Sequence, residues 1–426
     1  MKRLLLFGFI ALFSSYSYAQ TILTLDDCCR MAVENNRQGK LSDYAIEQAK
    51  LQVKNVKSDF LPQFSASGGY LYANKAFAME LAPSLSAAVD MNNTCFAGIQ
   101  LEQPIYMGGK IVTARKMSDI GMSIAHINKR KKDSDIRIET EETYWNVLRA
   151  KELHKVSLKY KDLIRELYRD MENRHRAGMV SKNELLKVQV KWNEAELSVE
   201  KSKHAVRLAQ MSLCHIIGLP LTSNVDVSGT IELPSLPRQK TDFDVQSRSE
   251  YQLLVENINM KRQQIKAVRS DFLPKIGLVA GYSYLDGIKM NRHKFLQDDV
   301  FSVMLSVKIP LFHWGEGYRK IKSAKIDMKK AEILRDEMIE KMYLEVTRKS
   351  DILDEARLEV GLTEKAFSCA EENLAESKKS YETGMETLTG YLEAQADWQK
   401  TYSKLVSAKA DYHIAESKYL NSLGLF

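Results

Sequence analysis

The chain has 426 residues, 27% of them charged, with 20 Gly and 8 Pro, a balance that favours long helices over disorder. Its net charge of +7 is modest for that length, and no Lys/Arg block carries interleaved aromatics, so nucleic-acid binding is not read from it. Cys28, Cys29, Cys95, Cys214 and Cys369 are odd in number and lack framework spacing, and they read as ordinary, mostly buried thiols.

Residues 1–19 have the form of a secretory signal peptide: Lys2 and Arg3, an apolar run from Leu4 to Phe13, and Ser17-Tyr18-Ala19 as the cleavage site. The apolar run is about half the ~20 residues that a spanning helix needs. Cleavage after Ala19 leaves Gln20 first, with no cysteine there for a lipid anchor.

Thr24 and Asp27 have capping-box spacing and open a short helix through Asn36. A second helix is expected from about Leu41 to Ser58, stopped by Asp59-Phe60-Leu61-Pro62. The period then changes to two, with Phe64, Ala66, Gly68, Tyr70 and Tyr72 alternating with Ser65, Ser67, Gly69 and Leu71. Ala97, Ile99 and Leu101 continue that alternation towards Pro104. A β-hairpin is therefore expected over about 63–103, with its tip near 74–94.

From Lys110 to about His175 no proline interrupts some 66 residues, enough for a helix of roughly 100 Å. A return helix is expected from about Lys182 to Ile217. Leu185, Val188, Trp192, Ala195, Val199, Ser202, Val206 and Ala209 space as a coiled-coil seam.

The second half repeats the first. Moved by 206 positions, Pro104 falls on Pro310, Gly109 on Gly315, Gly178-Met179 on Gly384-Met385, Trp192 on Trp398, and Gly218-Leu219 on Gly424-Leu425. Residues 20–219 and 245–426 thus read as two copies joined by an equatorial linker over 220–244. Ser270-Asp271-Phe272-Leu273-Pro274 closes a helix as its counterpart does, at an offset of 212, so the first half carries six extra residues between Pro62 and Pro104. A second β-hairpin is expected over about 275–309, its tip near 286–300, and a second helical hairpin over 316–423. Tyr391, Ala394, Trp398, Thr401, Leu405, Ala408, Tyr412 and Ala415 repeat the seam.

The fold class that results is mixed α and β: mostly long antiparallel helices, plus four strands of about ten residues suited to crossing a bilayer. Four strands cannot close a barrel, and an open edge in lipid leaves backbone groups unpaired. The remedy is oligomerisation, and three copies would supply twelve strands around a common pore.

No enzyme motif, cofactor site or metal site is found. Gly108-Gly109-Lys110 lacks the phosphate-loop spacing, Cys214-His215 has no ligand-spaced partner, and neither a nucleophile elbow nor a paired zinc-histidine motif occurs. The informative positions are the two hairpin tips. Gly178, Met179, Val180 and Ser181 form the first, and Gly384, Met385, Glu386 and Thr387 the second; each glycine suits a left-handed helix end, and Ser181 and Thr387 suit the next cap. In a threefold assembly Glu393 or Glu184 becomes a ring of carboxylates. The other reading is a glutamate placed near a helix N-terminus by the dipole.

The doubled Ser-Asp-Phe-Leu-Pro, the corners Gln103-Pro104-Ile105-Tyr106 and Ile309-Pro310-Leu311-Phe312, and the two tips together resemble the TolC-like outer-membrane efflux proteins, across essentially all of the chain after residue 19. The resemblance implies a homotrimer in the cell outer membrane of a Gram-negative bacterium, with a twelve-stranded barrel continued by a helical tunnel in the periplasm. It implies a passive exit duct of a tripartite efflux pump or type I secretion system, working with a periplasmic adaptor and an inner-membrane transporter of RND, ABC or MFS type. The family's tip tyrosine matches Tyr381 and one aperture acid matches Glu393. Glu386 stands where an arginine is usual and Gly390 where an aspartate is usual, so the usual salt-bridge latch is not reproduced. Tyr381, Glu393, Glu386 and Glu184 are the expected periplasmic aperture, and Pro62, Pro104, Pro274 and Pro310 the strand–helix corners. The alternative is a periplasmic coiled-coil adaptor or scaffold, a class that usually carries one hairpin and a membrane or lipid anchor.

Overall fold

The structure, a computed structural model, describes residues 21–75, 77–82, 85–90, 93–232, 243–290 and 293–426. The expected signal peptide and residues 233–242 of the linker lie outside the described residues.

In chain order, β1 (Thr21–Leu23), α1 (Leu25–Asn35) and α2 (Arg37–Ser58) lead into β2 (Gln63–Leu71), β3 (Phe77–Ala82), β4 (Leu85–Asp90) and β5 (Thr94–Met107). The long helices α3 (Lys110–Arg176) and α4 (Lys182–Ile216) follow, then β6 (Val225–Val227) and α5 (Ser249–Ser270). β7 (Lys275–Met290), β8 (His293–Lys308), α6 (Glu316–Glu382) and α7 (Leu388–Ser422) complete the chain. Among the described residues no helix is long and apolar enough to cross a membrane.

Local chemistry sets these bounds. Thr24 Oγ1 accepts from the Asp27 amide at 3.2 Å and Asp27 returns to the Thr24 amide at 3.4 Å, so the capping box opens α1. The gap expected between Asn36 and Leu41 is one residue wide. Asn36 is extended (φ −60°, ψ 134°), and its Oδ1 accepts from the Gln38 amide at 2.8 Å, which starts α2 four residues earlier than periodicity suggested. At both Ser-Asp-Phe-Leu-Pro stops the serine hydroxyl turns back onto its own helix, Ser58 to the Lys54 carbonyl and Ser270 to that of Ala267.

Helices α3 and α6 each have 67 residues, and α4 and α7 each have 35. Left-handed backbone occurs at Gly108, Gly109, Gly178 and Gly218, and again 206 positions on at Trp314, Gly315, Gly384 and Gly424.

The residues group into two compact units, and each draws on both halves of the sequence. One holds the chain up to Lys40 with Lys132–Val245 and Met342–Phe426; the other holds Leu41–Lys131 and Gln246–Lys341.

The second unit contains an antiparallel sheet in which β2, β5, β7 and β8 lie side by side. Two differences from the expected four ten-residue strands stand out. β7 and β8 have 16 residues each, and they carry on past Asp286-Gly287, which reads as a turn in sequence. Gly287 (φ +105°) instead sits at a register shift, pressed so closely on Asn93 that a Cβ would lie 2.4 Å from its carbonyl oxygen. The first hairpin connection also folds into β3 and β4, and β4 pairs with β7 at Val89–Met290 and Asp90–Lys289.

Register gives the four long strands two unlike faces. Phe64, Leu101, Ala280 and Val303 stand in one row, and Ala66, Ile99, Tyr282 and Phe301 in the next of the same face. The opposite face has Ser65, Gln100, Gly281 and Ser302 in one row, and Ser67, Gly98, Ser283 and Val300 in the next.

The first unit is a set of helices around continuous apolar seams. Ile136, Val147, Leu148 and Val156 of α3 pack with Cys28 and Ala32 of α1, Leu213 and Cys214 of α4, and Val406 and Ala410 of α7. The two-stranded parallel sheet of β1 and β6 places Leu23, Val225 and Val227 in that same core, so the linker's β-prone segment packs on the helices. Of the five cysteines, Cys28, Cys29 and Cys214 are buried, whereas Cys95 and Cys369 are exposed. Helix α7 is the most densely buried for its length, since it has α3 on one side and α6 on the other. Seven of its eight seam residues, all but Thr401, form buried layers with the neighbouring helices' apolar side chains, including Tyr391, Trp398 and Tyr412.

Candidate functional site

The two tips are built alike. Gly178 (φ +75°) ends α3, with the Met179 amide reaching back to the Arg174 carbonyl at 2.9 Å. Gly384 (φ +78°) ends α6, with the Met385 amide on the Ser380 carbonyl at 2.8 Å. Met179 and Met385 are left 77% and 79% exposed, as apolar knobs at equivalent places.

The caps that restart the helices use the expected residues in different ways. Ser181 Oγ accepts from the Glu184 amide at 3.3 Å, and the Glu184 carboxylate accepts from the Ser181 amide at 3.1 Å. Glu184 is therefore engaged in a capping box on its own chain. Thr387 Oγ1 accepts from the Gly390 amide at 3.1 Å, while Glu386 Oε1 accepts from the Thr387 amide at 2.9 Å. A Cβ on Gly390 would stand 2.2 Å from that same Glu386 oxygen. The two departures from the family pattern are thus coupled: the missing side chain at 390 makes room for the carboxylate at 386.

Tyr381 and Glu393 are not brought together. Tyr381 is half-buried, stacked on Tyr391 (5.2 Å between centroids, 18° between planes), with the Arg174 guanidinium 5.5 Å from its ring and its hydroxyl 3.0 Å from Met171 Sδ. It joins α6 to α7 and α3 within one chain. Burial raises the Tyr381 hydroxyl above its ordinary range, with Arg174 pulling the other way. Glu393 is exposed on α7, on the side away from that stack's buried neighbours Tyr391 and Ala394.

Two features near the tip had no expectation attached. Lys378 of α6 reaches Glu166 of α3 at 3.2 Å, a second tie between the hairpins. One helical turn behind the tyrosine stack, Gln395 is fully buried and Ser377 nearly so, and neither side chain makes a hydrogen bond of ordinary geometry. Gln189, which the repeat makes equivalent to Gln395, is exposed. Gln395 follows the seam residue Ala394 and Ser377 belongs to no seam read from the sequence, so the spacing gives no signal for either.

In the second unit the prolines mark the corners unevenly. Pro62 and Pro274 immediately precede β2 and β7. Pro310 follows β8 by two residues, but Pro104 lies inside β5 at a bulge opposite Gly277. The turn there is made by Gly108 and Gly109, because a Cβ on Gly108 would meet the Ser270 carbonyl at 2.5 Å. Asp271 ties the corner down with Lys110 at 3.1 Å and Lys275 at 3.7 Å.

The family model described as outer membrane efflux protein matches residues 29–219 and 255–425. The chain belongs to that family. Among curated relatives of this outer membrane efflux protein, it is 21% identical over 401 residues to the outer membrane efflux protein BepC of Brucella suis, covering 94% of this chain and 85% of that one. It is 20% identical over 406 residues to the proteases secretion protein PrtF of Dickeya chrysanthemi, covering 90% and 84%. The structure of the Campylobacter jejuni CmeC outer membrane channel superposes with a TM-score of 0.76 at 18% identity, over 94% of this chain and 86% of that one. The fold is that of the TolC-like channels. Helices predominate, with the sheet as the minor part.

Proposed function

We propose that this outer membrane efflux protein is one third of a homotrimeric channel-tunnel, the passive exit duct of a tripartite efflux pump or type I secretion system. The observation that carries the reading is the sheet. It has an apolar and a small, polar face, and among the described residues β2 and β8 each have a long-strand partner on one side only. Three copies joined β8 to β2 give twelve long strands with no open edge, lipid outside and water inside. The helices support the same assembly: Leu186, Val190 and Leu197 on α4, and Leu344, Leu358 and Leu362 on α6, are apolar and exposed in the single chain.

The equal helix lengths and the recurring left-handed positions support two structural repeats, each giving one sixth of the tube. In this reading the barrel lies in outer-membrane lipid and the helices in the periplasm. A periplasmic adaptor docks at Gly178–Ser181 and Gly384–Thr387, and an inner-membrane transporter supplies the energy. Tyr381, Glu393, Glu386 and Glu184 surround the closed end. The test is to size the protein in detergent and record it in planar bilayers: a trimer that conducts is expected, and a detergent-independent monomer overturns the reading.

A further inference from the structure

We propose that the corner between β8 and α6 is a lipid-binding finger, in which Phe312 and Trp314 sit in the headgroup layer of the membrane leaflet nearest the helices. The inference rests on the reading of the sheet as membrane-spanning.

Trp314 has φ +46°, in the left-handed region. The same place in the first corner, 206 residues earlier, is Gly108 at φ +64°. Glycine adopts this backbone freely, whereas for a bulky side chain it is costly and calls for a reason. Core packing is not the reason, because Trp314 is 82% exposed. The corner is instead built to hold the ring outward. His313 turns the other way and meets the Phe272 ring edge-on at 6.0 Å, and Gly317 lies so close to that ring that a Cβ would be 3.0 Å from it. Arg319 Nη1 donates to the Trp314 carbonyl at 3.0 Å, bracing the strained turn. Phe312 and Trp314, on either side of His313, pack edge to face at 4.9 Å and stand clear of the rest of the chain.

What covers them follows from continuity. Val303, Leu305 and Val307 share the apolar face of β8, and Ile309 and Leu311 carry the same alternation to the corner, with Leu311 89% exposed. An apolar stripe that ends in an indole, with Arg319 beside it, matches the change from acyl chain to phosphate headgroup. The class of ligand is a phospholipid.

Only four tryptophans occur in the chain, which makes the idea measurable. Trp145 stacks on His413 at 3.9 Å, Trp192 stacks on Tyr168, and Trp398 is buried in the hairpin core. The full-length protein is reconstituted into phosphatidylcholine liposomes brominated either near the headgroup end or near the methyl end of the acyl chains. Quenching of roughly a quarter of the emission is expected (one tryptophan in four), stronger from the shallow bromine and lost in Trp314→Phe. Trp314→Gly removes the ring and relieves the backbone, so its thermal midpoint in detergent stays equal or rises if the ring serves lipid. Wild-type protein that floats with the liposomes but is not quenched, or quenching that persists in Trp314→Phe, overturns the finger; a neighbouring copy covering Trp314 gives the first of these. Protein that does not float at all overturns the membrane-spanning reading, and the finger with it.

Discussion

Tyr381 stacks on Tyr391 across the turn of the second hairpin, so the last turn of α6 and the first turn of α7 share one aromatic layer. Arg174 and Met171 extend that layer to α3. Tyr381→Ala is expected to destabilise the tip by about 1–2 kcal/mol, from the lost pair and its burial. If the layer holds the end closed, single-channel conductance rises. Tyr381→Phe keeps the stack and leaves conductance near wild type. Unchanged conductance in Tyr381→Ala would remove Tyr381 from the closing contacts.

The buried Gln395 makes a different prediction for the same hairpin. An amide buried without a hydrogen bond of ordinary geometry costs about 1–3 kcal/mol relative to an apolar group of similar size. Gln395→Leu therefore stabilises the α6–α7 seam by ~1 kcal/mol, read as a higher thermal midpoint and slower amide exchange over 377–395. If the polar layer is where the hairpin yields on opening, transport by the assembled pump also falls. A lower midpoint would show that Gln395 is satisfied in the assembly.

Gly69 and Phe96 face each other across β2 and β5 on the polar face of the sheet, and a Cβ at Gly69 would lie 2.6 Å from the Phe96 ring. The ring lies flat in the space a side chain would take. Gly69→Ala pushes it off the wall, and in the proposed trimer three such rings would narrow a common pore. Conductance is expected to fall in Gly69→Ala and to recover in the double variant with Phe96→Ala. A fall that the double variant fails to relieve would place the effect in strand pairing.

The thiols give a pH window. Burial pushes Cys28 and Cys29 up to about 12 from an ordinary value near 9.0, with Cys29 and Asp27 adding to the first and Glu141 to the second. Both hold their protons more tightly folded than unfolded, so the stability they contribute is complete below pH 9 and is lost as pH rises towards 12. At pH 8 in detergent only Cys95 and Cys369 are expected to react with a maleimide; labelling of Cys28 in folded protein would contradict the burial.

Much of this architecture was readable because long-range order left local marks. Proline-free stretches bounded the long helices, and left-handed glycines marked their ends. Period-two alternation picked out the apolar face from Phe64 to Val307. The misses share a physical origin. Asp286-Gly287 has turn chemistry, but cross-strand pairing carries the strands through it as a bulge. β3 and β4 form in a connection whose alternation is weak. At the tip, Glu386 and Gly390 looked like two separate departures from a pattern, and only three-dimensional packing shows one filling the space the other leaves. Lys378–Glu166 and Tyr381–Met171 join residues more than two hundred positions apart, for which no periodicity gives notice.

The matched lengths of α3 and α6 carry a rule about which sequences this architecture tolerates. Each residue of helix adds ~1.5 Å of rise and ~100° of turn. A single insertion in one 67-residue arm would offset its tip from its counterpart and swing Met179 or Met385 to a different bearing. The two arms are therefore bound to change length together. Indels should survive in the linker or in the β3–β4 connection, and be purged from the helices unless they come in pairs.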